Sequence, residues 1–245
     1  MNNRVFIKIG LFFLIIIFSR QTAGAQNNYA ELAIKFHYTA NGKNLVLGDN
    51  NYINAFAESY SITRLKYYIS NISLASKKNT ALDYNVFLVD ASVEGTIKIQ
   101  AFPGEYTKLV FNLGVDSFLN CSGAQSGALD PLNGMFWTWN SGYVFFKMEG
   151  FSSASTADLH RIEHHIGGYR GPYKAERKIE LELKEPLVIN ENSRHTLNIQ
   201  VNLDPYWQGI NEIKIADHAL VMIPGEQAKK SADNFAAMFS IISIQ

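Results

Sequence analysis

From Ile179 to Lys184 apolar and charged residues alternate one for one, with Ile179, Leu181 and Leu183 on one parity and Glu180, Glu182 and Lys184 on the other. Successive side chains of a strand point to opposite faces, so this period of two predicts an antiparallel strand with one dry and one wet face. Leu197, Ile199, Val201 and Leu203 repeat the signal against Thr196, Asn198, Gln200 and Asn202. Pro186 and the cluster Asn190-Glu191-Asn192-Ser193 between the two runs predict a hairpin connection. Near the start, Leu32, Ile34, Phe36 and Tyr38 alternate with Ala33, Lys35 and His37, and Asn41-Gly42 supplies the residue types of a tight hairpin turn. Shorter β-like runs cover Tyr67 to Leu74, Asn85 to Val89, Thr96 to Ile99, Tyr106 to Leu113 and Tyr143 to Met148. A helix is predicted only around Ala228 to Met238, where Lys229, Lys230 and Asp233 share the segment with Ala232, Phe235 and Met238. Many short strands with turn signals predict an all-β chain, a sandwich or barrel. Of these, an antiparallel β-sandwich with long loops and a short C-terminal helix is expected.

The first 25 residues follow a different pattern. Arg4 and Lys8 precede an apolar run from Ile9 to Phe18, and Ala23-Gly24-Ala25 offers small side chains for cleavage before Gln26. This predicts a signal peptide over 1–25 and one mature domain over 26–245, exported to the periplasm or secreted. The apolar run is shorter than the about 20 residues a membrane span needs, so no span is expected after cleavage. Cys121 is the single cysteine. It lies too far along for a lipid anchor at the cleavage site, has no disulfide partner, and is expected to be a buried or partly buried thiol. Without the three basic residues of the signal the chain keeps 19 basic against 22 acidic residues, a net charge of −3 with histidines neutral. That balance favours neither nucleic acid nor an anionic membrane surface. Hydrophobic residues at 47% and aromatics at 13% suit a packed sheet protein rather than a disordered one.

The candidate chemistry centres on the block from Gly123 to Tyr143, where Trp137 and Trp139 stand two residues apart beside turn-forming residues. Together with Tyr67-Tyr68-Ile69-Ser70-Asn71-Ile72, Leu88-Val89-Asp90, Gly114-Val115-Asp116-Ser117, Glu149-Gly150, His165-Ile166-Gly167-Gly168, Asp233-Asn234-Phe235 and Met238-Phe239, the block resembles the MbnP family. These are exported copper-associated proteins named for the partner protein of methanobactin gene clusters. The resemblance implies a copper-binding β-sandwich, helped in some members by a tryptophan oxidised to kynurenine, an oxidation performed in the methanobactin-linked members by a dihaem enzyme related to cytochrome c peroxidases; the chain is read as a binding protein, not itself an enzyme. Carried onto this chain, it points to Trp137 or Trp139 without deciding between them. Indole has an N–H donor and no good metal lone pair, whereas kynurenine presents an aryl amine and a ketone, so oxidation turns a packing group into a ligand. Equally, indoles two apart in an extended segment share one face and commonly cap a sandwich core.

Copper favours imidazole nitrogen, which directs attention to the six histidines. His165 is the first candidate ligand, because it falls in a motif of the resemblance and Gly167-Gly168 after it permits close backbone approach. His218 and His37 follow, although His37 lies on the polar parity of its strand and suits a solvated side chain as well. His195 shares parity with Leu197 and Ile199 and reads as a strand-end packing residue. His160-x-x-Glu163-His164 matches the pattern of inverted zinc peptidases, which needs one helix to present all three side chains to a metal. The glycines at 167, 168 and 171 and Pro172 oppose a long helix there. Asp116, Asn120, Asp130 and Asn133 near the tryptophans offer oxygen donors for calcium, or else Asx turns. A structural or interaction sandwich without metal is the third alternative.

Overall fold

The computed structural model describes residues 29–49, 52–76, 80–138 and 140–245; the expected signal peptide and Trp139 lie outside them. Two mixed sheets form the molecule. The five-stranded sheet joins β1 (Ala30–Ala40), β2 (Lys43–Asn44), β6 (Thr96–Ala101), β12 (Arg194–Asn202) and β14 (Phe239–Ile244). The nine-stranded sheet contains β3 (Tyr52–Ile53), β4 (Ser59–Ala75), β5 (Thr80–Asp90), β7 (Gly104–Leu113), β8 (Phe136–Thr138), β9 (Gly142–Phe151), β10 (Arg161–Gly167), β11 (Arg177–Ile189) and β13 (Leu220–Val221). Its principal path runs β11-β7-β4-β9-β10-β13. Short helices α1 (Ser117–Cys121), α2 (Asp204–Trp207), α3 (Ile215–His218) and α4 (Glu226–Asp233) occupy the connections. None of the helices among the described residues is long and apolar enough to cross a membrane.

The alternating runs do what their period dictates. In β1, Leu32 and Ile34 are buried while Glu31 and His37 are exposed, and Asn41 and Gly42 both take positive φ in the hairpin to β2. The expected hairpin between Ile179 and Leu203 is not formed. β11 pairs with β7 in the large sheet, whereas β12 pairs parallel to β1 in the small one, so the Asn190 turn carries the chain from one sheet to the other. Pro186 falls inside β11, within the register shift between Glu182 and Leu187, where a residue without an N–H costs no ladder bond. Most pairings are antiparallel, as expected; β1–β12 and β10–β13 are parallel.

The inner faces meet through aromatics. Tyr67 of β4 is fully buried, contacts Phe36, Phe146 and Phe239 at ring-centroid distances of 6.0, 6.3 and 6.0 Å, and its hydroxyl lies 3.2 Å from that of Tyr38. Each such ring stabilises by about 2–3 kcal/mol through burial. The predicted C-terminal helix is α4, followed by a 3₁₀ turn over Phe235–Met238 that inserts Phe235 against Phe146 and Tyr206. The third tryptophan, Trp207, packs fully buried between Tyr60 and His164. Gly150 marks the closest approach of strands: a Cβ there would meet the Ser61 carbonyl oxygen at 1.9 Å.

His164 belongs to this core. It is fully buried, its Nε2–H donates to the His218 carbonyl at 2.7 Å, and its Nδ1 therefore accepts from the Tyr206 hydroxyl at 2.6 Å. Burial pushes its pKa down to about 4. The folded protein holds it neutral while the unfolded chain takes up a proton below about pH 6.5, so stability present above that pH is lost as pH falls towards 4. We predict that this histidine alone removes about 3 kcal/mol of stability over that window. Urea midpoints of metal-free wild type and His164→Gln, compared at neutral and acid pH, should show a shallower acid loss in the variant; parallel curves would contradict it.

Candidate functional site

The outer face of the large sheet carries a row of charged side chains. Arg64 and Lys66 on β4 lie opposite Glu149 and Lys147 on β9, which in turn lie opposite Glu163 and His165 on β10. Like charges face one another at Lys66–Lys147 and Glu149–Glu163, an arrangement that costs energy unless diagonal partners intervene. Glu149 supplies them. Its carboxylate bonds His165 Nε2 at 2.8 Å, pairs with Arg64, and lies 3.7 Å from Lys147 Nζ. Lys66 turns to Asp90 at 2.9 Å.

These contacts set the protonation states. Burial alone raises the Glu149 carboxyl, but the His165 hydrogen bond with Lys147 and Arg64 outweighs it and holds the group below the usual carboxylate range. Burial lowers His165, opposed by its bond to Glu149, and burial likewise lowers Lys147. An ionised carboxylate only accepts, so His165 donates Nε2–H to it, and in the neutral ring Nδ1 holds the lone pair. This is the second-partner arrangement that orients metal-binding imidazoles.

Over one end of this face folds the segment from Val115 to Tyr143. Asn120, buried in α1, donates to the Val115 and Asp116 carbonyls at 2.6 and 2.9 Å and accepts from Tyr143 N–H at 2.9 Å. The Tyr143 hydroxyl lies 3.0 Å from the Gly123 carbonyl and 2.8 Å from that of Leu129, and Tyr68 donates to the Ala128 carbonyl at 3.0 Å. Lys147 closes the segment from the sheet side by donating to the Gly134 carbonyl at 2.6 Å. The chain emerges as β8, which brings half-buried Trp137 down onto β10. A Cβ on Gly167 would meet Trp137 Cζ3 at 2.8 Å, Cη2 at 3.0 Å and the Tyr143 carbonyl oxygen at 2.6 Å. Phe145 is the extra residue of β9 opposite the Ile166–Gly167 step, while β10 itself stays regular. His165 and Gly167 therefore share one face, and the indole sits one same-face position from the imidazole.

The other sequence-derived candidates fall elsewhere. His37, exposed on β1 in the small sheet, bonds Asn198 at 2.9 Å. His218 is exposed at the end of α3, beside the Glu163 end of β10 rather than the Gly167 end. His195 bonds Ser193 at the start of β12. The zinc-peptidase pattern is not helical: His160 ends a 3₁₀ turn and bonds the Ser155 carbonyl, and on strand β10 Glu163 and His164 point to opposite faces. Among the described residues no group of three or more His, Cys, Asp and Glu is disposed to hold a metal. The calcium expectation has no support, because Asp116 and Asp130 cap the N–H groups of Leu119 and Leu132, Asn120 serves the bonds given above, and Asn133 donates to the Gly127 and Ala128 carbonyls. Cys121 is exposed rather than buried.

Glu149 entered the sequence reading only within the Glu149-Gly150 motif and Lys147 only within a β-like run, neither as a site residue, although their shared parity two residues apart was readable. Their link to His165 depends on the register of β9 against β10, which no local pattern encodes.

The fold and this face define a mostly β protein of two mixed sheets, with a histidine–carboxylate pair beside a tryptophan-bearing cover. The chain belongs to the MbnP family, whose profile matches residues 29–224. Among solved structures it is similar to MbnP from Methylosinus trichosporium, with a TM-score of 0.58 and 15% identity over 88% of this chain and 98% of that one, a likeness of fold. No curated protein sequence matches it.

The Gly167 contact yields a direct prediction. Gly167→Ala should displace the Trp137 ring and shift tryptophan emission, and should destabilise the fold by about 1–3 kcal/mol, the usual cost of overpacking. Unchanged emission and an unchanged unfolding midpoint would show that the ring does not rest on this backbone.

Proposed function

We propose that this chain is an exported, non-enzymatic copper-binding protein that holds copper as cargo on the outer face beside His165, acting in copper acquisition or handling. Family membership supports the reading, and one observation carries it: the Trp137 ring lies against Gly167, on the face that presents His165. Before modification the indole offers no lone pair to a metal. Opening the C2–C3 bond with insertion of two oxygen atoms, then hydrolytic loss of the formyl carbon as formate, leaves kynurenine with an aryl amine in its place. That four-electron oxidation requires peroxide or dioxygen as co-reactant, and a dihaem peroxidase-like partner is the proposed catalyst. Trp137 is the side chain with a described position at the site; Trp139 is the alternative for modification.

The donor chemistry present fits copper. His165 is neutral, oriented by Glu149 and bare at Nδ1, and imidazole with an aryl amine suits copper better than a hard cation. His218 and His37 are retained as further donors to be ranked by titration, His218 first because it lies on the same sheet edge. An interaction sandwich without metal is the competing reading.

Cu(I) titration and peptide mapping of protein from its own host test the proposal. His165→Ala should weaken binding by more than the about 10–100-fold that outer-shell changes cost, with smaller changes for His218→Ala and His37→Ala. The Trp137 peptide should show loss of one carbon and gain of one oxygen. Host protein that contains no copper, binds none on titration and carries unmodified tryptophan would leave the metal-free reading.

A further inference from the structure

We propose that Met222 supplies a thioether ligand to the ion held at His165, so that the site is a soft nitrogen and sulfur site for Cu(I). The inference rests on the copper reading above and adds to it a residue outside every motif of the block and the histidine strand.

The argument is one of register. β13 runs parallel to β10, with Leu220 opposite Glu163 and Val221 opposite His164. Extending this register by one residue sets Met222 beside His165. Burial supports the same alternation: Val221 is 6% exposed, on the inner side with His164, while Leu220 and Met222 are 44% and 41% exposed, on the outer side with Glu163 and His165. The chain does not leave β10 after the ladder ends, because a Cβ on Gly168 would lie 3.3 Å from Pro224 Cβ. His165 is thereby flanked by Lys147 and Glu149 on the β9 side, by Met222 on the β13 side, and by Trp137 further along its own strand.

The chemistry of that flank is asymmetric. On the β9 side Glu149 occupies Nε2 and Lys147 is cationic, so neither leaves a free soft donor there. On the β13 side stands a thioether, a neutral sulfur ligand that needs no deprotonation and selects Cu(I) among the common metals. Met135, Met148 and Met238 are at most 1% exposed and packed in the core, which leaves Met222 as the described methionine with an accessible sulfur. A trio of imidazole, thioether and tryptophan-derived amine would need no cluster of three histidines, cysteines or carboxylates, and none is found among the described residues.

The test uses full-length exported protein from its host, labelled with ¹³C at methionine methyl groups and titrated anaerobically with Cu(I) alone. Cu(I) is diamagnetic, so the methyl spectrum remains readable. The Met222 resonance should shift at one equivalent while the three core methyls stay in place, and X-ray absorption at the copper edge should show a sulfur neighbour. Met222→Leu keeps the size and apolar character of an exposed side chain, and should remove the sulfur neighbour and weaken Cu(I) binding by about 10-fold or more. Wild type that binds Cu(I) with its Met222 methyl unmoved, or a variant of unchanged affinity, overturns the thioether and leaves the copper function standing. Wild type that binds no copper overturns both.

Discussion

The closure of the Val115–Tyr143 segment onto the outer face of the large sheet is the constraint on which the site depends. A sheet with one face in the core leaves its other face to water, and here that face is charged along Arg64, Lys66, Lys147, Glu149 and Glu163. At one end the charges stop and an aromatic cover begins, held by Asn120, Tyr68, Tyr143 and Lys147, each bonded to a backbone carbonyl of the segment. The bonds to the Val115 and Leu129 carbonyls are buried, and losing either would leave an unpaired group at a cost of about 1–3 kcal/mol. Together the bonds of the segment fix β8 beside β9, and so where the Trp137 ring lies against Gly167.

Histidine chemistry divides along the same strand. His164 faces inward, has both ring nitrogens bonded and a pKa pushed down to about 4 by burial, and acts as a neutral strut between Tyr206 and the α3 terminus. One residue later His165 faces outward with a single nitrogen engaged. Alternation across a strand thus separates a packing histidine from the proposed ligand in adjacent positions. The zinc-peptidase pattern read His164 as the ligand because that pattern assumes helical spacing; here His160 ends a 3₁₀ turn before the strand, and on β10 Glu163 and His164 point to opposite faces.

Much of the fold was legible because its strands bury one face. The runs at 32–38, 179–184 and 197–202 alternate cleanly and lie in strands with the expected apolar side inward, Leu203 falling just past the last of them. β10 was missed: its sequence Arg-Ile-Glu-His-His-Ile-Gly carries only two apolar residues, and its dry face includes a histidine whose burial depends on Tyr206, 42 positions away. Partners were less legible than strands. The turn at Asn190 looks like a hairpin, and only the competition between two sheets for β12 decides otherwise. For the candidate site, Trp137 and His165 were readable from their motifs, whereas the placement of Glu149 and Lys147 beside His165, and the proposed part of Met222, depend on cross-strand register, which is a property of the folded chain.

The proposed copper handling rests on a face that orients one imidazole, leaves its Nδ1 bare, and holds an oxidisable ring one same-face position away. Anomalous diffraction at the copper edge, from crystals of protein purified from its host, tests this most directly. The account predicts a single peak on the outer face of β10, between the His165 imidazole and the Trp137 side chain. A peak at the small sheet beside His37, or none in protein carrying intact His165 and modified Trp137, would contradict it.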